Sequence, residues 1–135
     1  MRSRLLPCLL VVAGLFVACS NGESGGNAER FCGEIELNQA QLTSPDLATA
    51  ADIEPLLELY RSIGELAPLA IEPEWNQLIL NAETASTVVP GDDESLQVAV
   101  ATALQSEQAA ARVKQWLVDN CALDIGPVAT LAPQG

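Results

Sequence analysis

The stretch LFVACSNGESGGNAERFCGE (residues 15–34) holds Cys19 and Cys32, thirteen positions apart. Cys19 ends an apolar run, and Cys32 sits in a pattern that starts a helix. The jobs of these two cysteines decide where the folded domain begins and what closes it. Upstream, Arg2 and Arg4 flank the start, and Leu5 to Ala18 is an apolar run of fourteen residues. A bilayer span needs about 20 residues. A short basic end, a short apolar middle and small residues at the exit describe a secretory signal peptide over residues 1–18. Pro7 and Gly14 inside the run also weaken a permanent membrane helix. Cys8 lies deep in that run and is expected to leave with it.

The exit reads FVAC (residues 16–19). It resembles the lipobox of bacterial lipoproteins, in which a small residue precedes an invariant cysteine. Ala18 and Val17 fit that pattern, while Phe16 departs from the usual Leu, Val or Ile. The resemblance implies a diacylglycerol on the sulfur of Cys19, with the signal cut just before it, so that Cys19 becomes the lipidated first residue. The alternative is cleavage after the ACS of residues 18–20 and release of a free, secreted protein. Residues 20–27, SNGESGGN, contain little that can pack, so residues 19–27 read as the lipidated cysteine and a flexible Gly/Ser-rich tether. Two acyl chains give stable anchoring where one is marginal.

Beyond Cys19 the chain is strongly acidic. All 18 Asp and Glu lie there with only Arg30, Arg61, Arg112 and Lys114, which gives that part a formal charge of −14. Such a body repels nucleic acid and anionic headgroups. Its composition is rich in Ala and Leu and poor in aromatics, which favours helices over sheets.

Four amphipathic segments follow. From Ala28, with Asn27 as N-cap, Phe31, Cys32 and Ile35 share a face with Leu42, and TSP (43–45) ends the helix. In DIEPLLELYRSIGELAP (52–68), Ile53, Leu56, Leu57, Tyr60, Ile63 and Ala67 recur at three and four. Pro55 places its start near Glu54, and Pro68 is its expected stop. In IEPEWNQLILNAETASTVVPG (71–91) the stripe is Ile71, Trp75, Leu78, Ala82 and Ala85. In the longest, DDESLQVAVATALQSEQAAARVKQWLVDNC (92–121), it is Leu96, Val100, Leu104, Ala110, Val113, Leu117 and Cys121, with Asp92 or Asp93 as cap. No stretch alternates as a strand. The expected fold is all-α, a small bundle of about four helices over residues 28–123, with an irregular tail over 124–135.

With Cys8 removed and Cys19 acylated, Cys32 and Cys121 are the one pair left. An exported chain meets an oxidising space, so a Cys32–Cys121 disulfide is expected. Two buried free thiols are the other reading.

There is no histidine, so Ser-His-Asp and Cys-His catalysis cannot be built. The usual zinc, haem and copper ligand sets are missing, as is a Gly-rich phosphate loop. The expectation is no cofactor, no resident metal and no catalytic residue. Carboxylates cluster at Glu34/Glu36, Glu54/Glu58, Glu72/Glu74 and Asp92/Asp93/Glu94, which leaves a carboxylate hydrolase formally open. Helix starts and solvated faces explain them better, and capping explains GDDE (91–94) better than calcium binding. Trp75 and Trp116 lie on or beside apolar stripes, so core packing is favoured over a ligand pocket.

The marks ERFCGEI (29–35), LLELYRSIGELAP (56–68) and RVKQWLVDNCALDI (112–125) resemble small secreted or lipid-anchored helical proteins of actinobacteria. That resemblance implies a disulfide-tied helical bundle and carries no activity. The functional expectation is a membrane-anchored extracytoplasmic binding or interaction module. Its partners would be the membrane, through the lipid anchor, and an extracytoplasmic protein or small ligand, with no nucleic acid. A small-ligand carrier with a pocket between helices is the alternative, and a carboxylate hydrolase the lesser one.

Overall fold

The computed structural model describes residues 22–133, with side chains from Asn27 onward. Among the described residues every regular element is a helix: α1 Gly22–Leu37, α2 Gln39–Thr43, α3 Ile53–Gly64, α4 Glu72–Ser86 and α5 Asp93–Cys121, with a 3-10 turn at Ala50–Asp52 before α3. The expected bundle is therefore present.

Its first helix differs in two ways. The backbone is helical from Gly22 and takes in part of the Gly/Ser-rich stretch, so Asn27 is not its N-cap. That stretch has poor helix propensity, and the first buried side chain is Phe31. The helix also breaks at Asn38. Its Nδ2 donates to the Glu34 carbonyl oxygen (2.8 Å), and α2 continues from there to Thr43, ending at TSP as expected.

α3 starts with Pro55 in its first turn and ends at Gly64, four residues before Pro68. Gly64 itself is required by close packing. The Trp75 indole of α4 lies against Gly64, where a Cβ would stand 3.0 Å from its Cδ1. Glu65 and Leu66 then turn back through backbone bonds to Arg61 and Ile63.

The core sits where α1, α3, α4 and the last third of α5 meet. Phe31, Ile35, Leu56, Leu57, Tyr60, Ile63, Trp75, Leu78, Val113 and Leu117 fill it. Phe31 stands edge-on to Trp75 (centroids 5.2 Å, 83°) and to Trp116 (5.7 Å, 76°), and Trp75 Nε1 donates to the Tyr60 carbonyl oxygen (2.8 Å). Such edge-on pairs add to area burial. Trp75 is fully buried in the core, and the half-buried Trp116 packs against its edge.

α5 spans about 43 Å at 1.5 Å per residue and is capped by Asp92, whose Oδ1 accepts from the Glu94 and Ser95 N–H groups. α4 runs antiparallel beside it, with Gln77 against Ser106 and Glu74 paired to Arg112. Here the expected stripe fails in its first half. Val100 and Leu104 face outward, Leu96 is half-buried, and the buried face is Ala99, Thr102, Ala103, Ser106, Ala109 and Ala110. Small residues let the α4 backbone come close. Ser106 is accommodated because its hydroxyl bonds to the Thr102 carbonyl (2.8 Å) and the Gln77 carbonyl (3.1 Å). In the second half Ala110, Val113 and Leu117 are buried as expected, and Cys121 packs at the core's edge.

Residues 122–133 form no regular element, yet they are packed. Ala122 ends α5 in the left-handed region (φ 53°) and the chain turns back as a strap. Val128 and Leu131 enter the core.

Candidate functional site

Cys19 and the leader lie outside the described residues. Cys32 and Cys121 form a disulfide between α1 and α5, with Cα atoms 5.6 Å apart and 89 positions between them in sequence. Both are half-buried and open onto a surface groove of about 360 Å³, flanked by Glu29, Glu36 and Asn120. A second groove of about 300 Å³ lies between α4 and α5, lined by Glu74, Gln77, Gln105, Gln108 and Arg112. Neither groove is lined by Trp75 or Trp116.

The carboxylate clusters take ordinary places. Glu34 approaches Asn38 Nδ2 (3.4 Å), Glu74 pairs with Arg112 (3.4 Å), and Asp92 caps α5. Glu36, Glu54 and Glu58 are exposed. Among the described residues no group of three or more His, Cys, Asp or Glu side chains is placed to hold a metal. No described helix is long and apolar enough to cross a membrane.

Among the described residues two titratable groups depart from their ordinary range. The hydroxyl of Thr49, and then its N–H, donate to the Asp52 carboxylate (2.9 and 2.7 Å) and hold it below the usual carboxylate range. Burial pushes the Tyr60 phenol above its usual range, and its Oη donates to the Ala129 carbonyl oxygen (3.0 Å). An unfolded chain ionises its tyrosine near pH ~10. The folded state keeps the proton, so Tyr60 contributes stability below that pH and loses it as pH rises further. Urea unfolding followed from neutral to strongly alkaline pH should show a fall in stability starting near pH ~10. That fall should be reduced in Tyr60→Phe. Because Tyr60 is the chain's single tyrosine, tyrosinate absorbance should appear only as the protein unfolds. Ionisation in the folded state at the ordinary pH would contradict this.

Sequence reasoning missed Asn81. It is 1% exposed, and its side chain holds the strap: Leu131 N–H donates to Oδ1 (2.7 Å) and Nδ2 donates to the Leu131 carbonyl (3.0 Å). The signal was an Asn on the same helix face as Leu78, Ala82 and Ala85.

Several large apolar side chains of α5 are left exposed, and Val100 and Leu104 among them lie one turn apart on one face. Val98, Val100 and Leu104 are 53%, 44% and 59% exposed within seven residues. α4 covers one side of this part of α5, and α1 reaches only the last third, through Phe31–Trp116 and the disulfide. Comparison with protein-family models, with curated proteins and with solved structures returns no match to this chain.

Proposed function

We propose that this protein is an extracytoplasmic lipoprotein, held at the outer face of the cell membrane by acyl chains on Cys19, and that it works as a non-catalytic binding module. The observation that carries the binding role is the outward apolar pair on α5, Val100 and Leu104, which lie one turn apart on one face and are both exposed. Apolar residues grouped on a surface mark interaction sites more often than scattered ones do. The Cys32–Cys121 disulfide supports an oxidising compartment. Trp75 is enclosed and bonded to the α3 backbone, which favours the module over a carrier with a tryptophan-lined pocket.

The test has two arms in a bacterial host. Cys19→Ser, or a block of lipoprotein signal cleavage, should move the protein out of the detergent-extracted membrane fraction or make the precursor accumulate. A precursor that does not accumulate under the block would contradict the anchor. A photo-cross-linking residue at Ala101 should capture a partner that the same residue at exposed Glu54 does not. The double substitution V100E/L104E should abolish that capture while changing stability by no more than about 0.5 kcal/mol, as exposed substitutions do. Equal capture from both positions would contradict the binding face.

A further inference from the structure

The strap after α5 is held in an unusual way. Four hydrogen bonds fix residues 129–131, and all four end on strap backbone atoms. Ala129 N–H donates to the Leu42 carbonyl (2.7 Å), and Tyr60 Oη donates to the Ala129 carbonyl (3.0 Å). Asn81 pairs with both the N–H and the carbonyl of Leu131. The strap side chains that matter are apolar: Val128 and Leu131, three positions apart, are both buried. The surface formed by the end of α2, α3 and α4 thus reads an extended backbone plus two apolar side chains. Those are the terms in which peptide grooves recognise a ligand. Emptying it would strand Asn81 and Tyr60, which are buried polar groups and costly to leave unpaired.

We infer that this groove is a recognition site for an extended peptide of a partner protein, occupied in cis by the chain's own residues 128–131. The strap is joined to α5 through Ala122 and Gly126, both at positive φ (53° and 81°), and latched at its root by a loose Lys114–Asp124 pair (3.7 Å). The occupant's chemistry follows from the groove and the field around it. It is an extended segment with two apolar side chains three apart and basic flanks, because the chain carries a net charge of −12 and attracts cations. This inference rests on the reading of the protein as a binding module, and it names a different surface from the α5 face.

The test uses the full chain carrying V128D/L131D, which spoils the strap and leaves every groove residue intact. It is titrated with three synthetic peptides: LDIGPVATLAP (residues 123–133), the same peptide with two lysines at each end, and one with aspartate at both apolar positions. Saturable one-to-one binding is expected for the first. Tighter binding is expected for the second at low salt, with the gap closing as salt rises, and none for the third. Adding Asn81→Ala to the chain should weaken binding about tenfold, the worth of a lost buried hydrogen bond. Failure of the first two peptides to bind overturns the proposal. Lysines without effect overturn the basic partner. A wild-type dimer that V128D/L131D splits reassigns the groove to the strap of a second copy.

Hydrogen exchange on the wild-type chain is a second check that holds even where the variant fails to fold. The amides of Ala129 and Leu131 should exchange before those of α4 and the last third of α5. Exchange together with that core would make the strap an inseparable part of the fold and sink the inference. Failure of either experiment leaves the α5 face and the Cys19 anchor standing, since no strap or groove residue belongs to them.

Discussion

Replacing Cys32 and Cys121 by serine should lower unfolding stability by about 4–5 kcal/mol in the chain-entropy account, because the bond closes a loop of 89 positions. For a domain of this size that is roughly 20 °C in Tm, and a large share of the 5–15 kcal/mol typical of a whole domain. The loss should begin at α1. That helix touches the rest mainly through Phe31, Ile35 and the disulfide, and it shares far less of its length with the other helices than α4 shares with α5. Hydrogen exchange of the double serine variant should show α1 amides opening well before those of α4. Equal stability in the oxidised wild type and the variant, by thermal and urea unfolding, would contradict the account.

Trp75→Ala should cost about 3–5 kcal/mol, the range for removing a large buried aromatic. Trp75 is fully buried, and it joins three helices: Phe31 of α1 packs edge-on to it, Tyr60 of α3 lies 5.9 Å away between centroids, and Gly64 makes room for the ring. Its removal also deprives the Tyr60 carbonyl of the indole N–H. Trp75→Phe keeps much of the volume and loses that bond, so it should cost clearly less than the alanine. Because Phe31 and Trp75 touch, Phe31→Ala and Trp75→Ala should be non-additive in the double variant. A cost for Trp75→Ala below about 1 kcal/mol, the range of changes outside the core, would mean that this cluster does not organise the bundle.

What the sequence could show depended on which force selected the residue. Where large apolar side chains fill a core, periodicity reads well: the Ile71–Trp75–Leu78–Ala82 stripe and the Val113–Leu117 stripe are buried as the pattern requires. Asp92 is legible as a cap because capping is local chemistry. The first half of α5 misleads for a stated reason. Hydrophobicity marks Val100 and Leu104 as core, while close approach of α4 selects Ala99, Ala103 and Ser106 instead. The inward face is therefore the less hydrophobic one, and the more hydrophobic Val100 and Leu104 are left exposed. The Gly/Pro punctuation after Cys121 points to an irregular strap. That it is packed depends on Asn81, fifty positions away from Leu131, and no local pattern encodes such a pairing. The disulfide was legible from cysteine arithmetic together with the expectation of export.

In the proposed reading one seam divides the molecule: lipid attachment at Cys19 on one side, and a domain closed by Cys32–Cys121 on the other. The intact mass of the mature protein, extracted from membranes and alkylated without reduction, tests both sides at once. The expected result is a chain beginning at Cys19, heavier by a diacylglyceryl group and any further acyl chain, with no alkylated thiol. A chain that still carries its leader, a chain starting elsewhere without lipid, or a folded protein with two alkylated cysteines would contradict it.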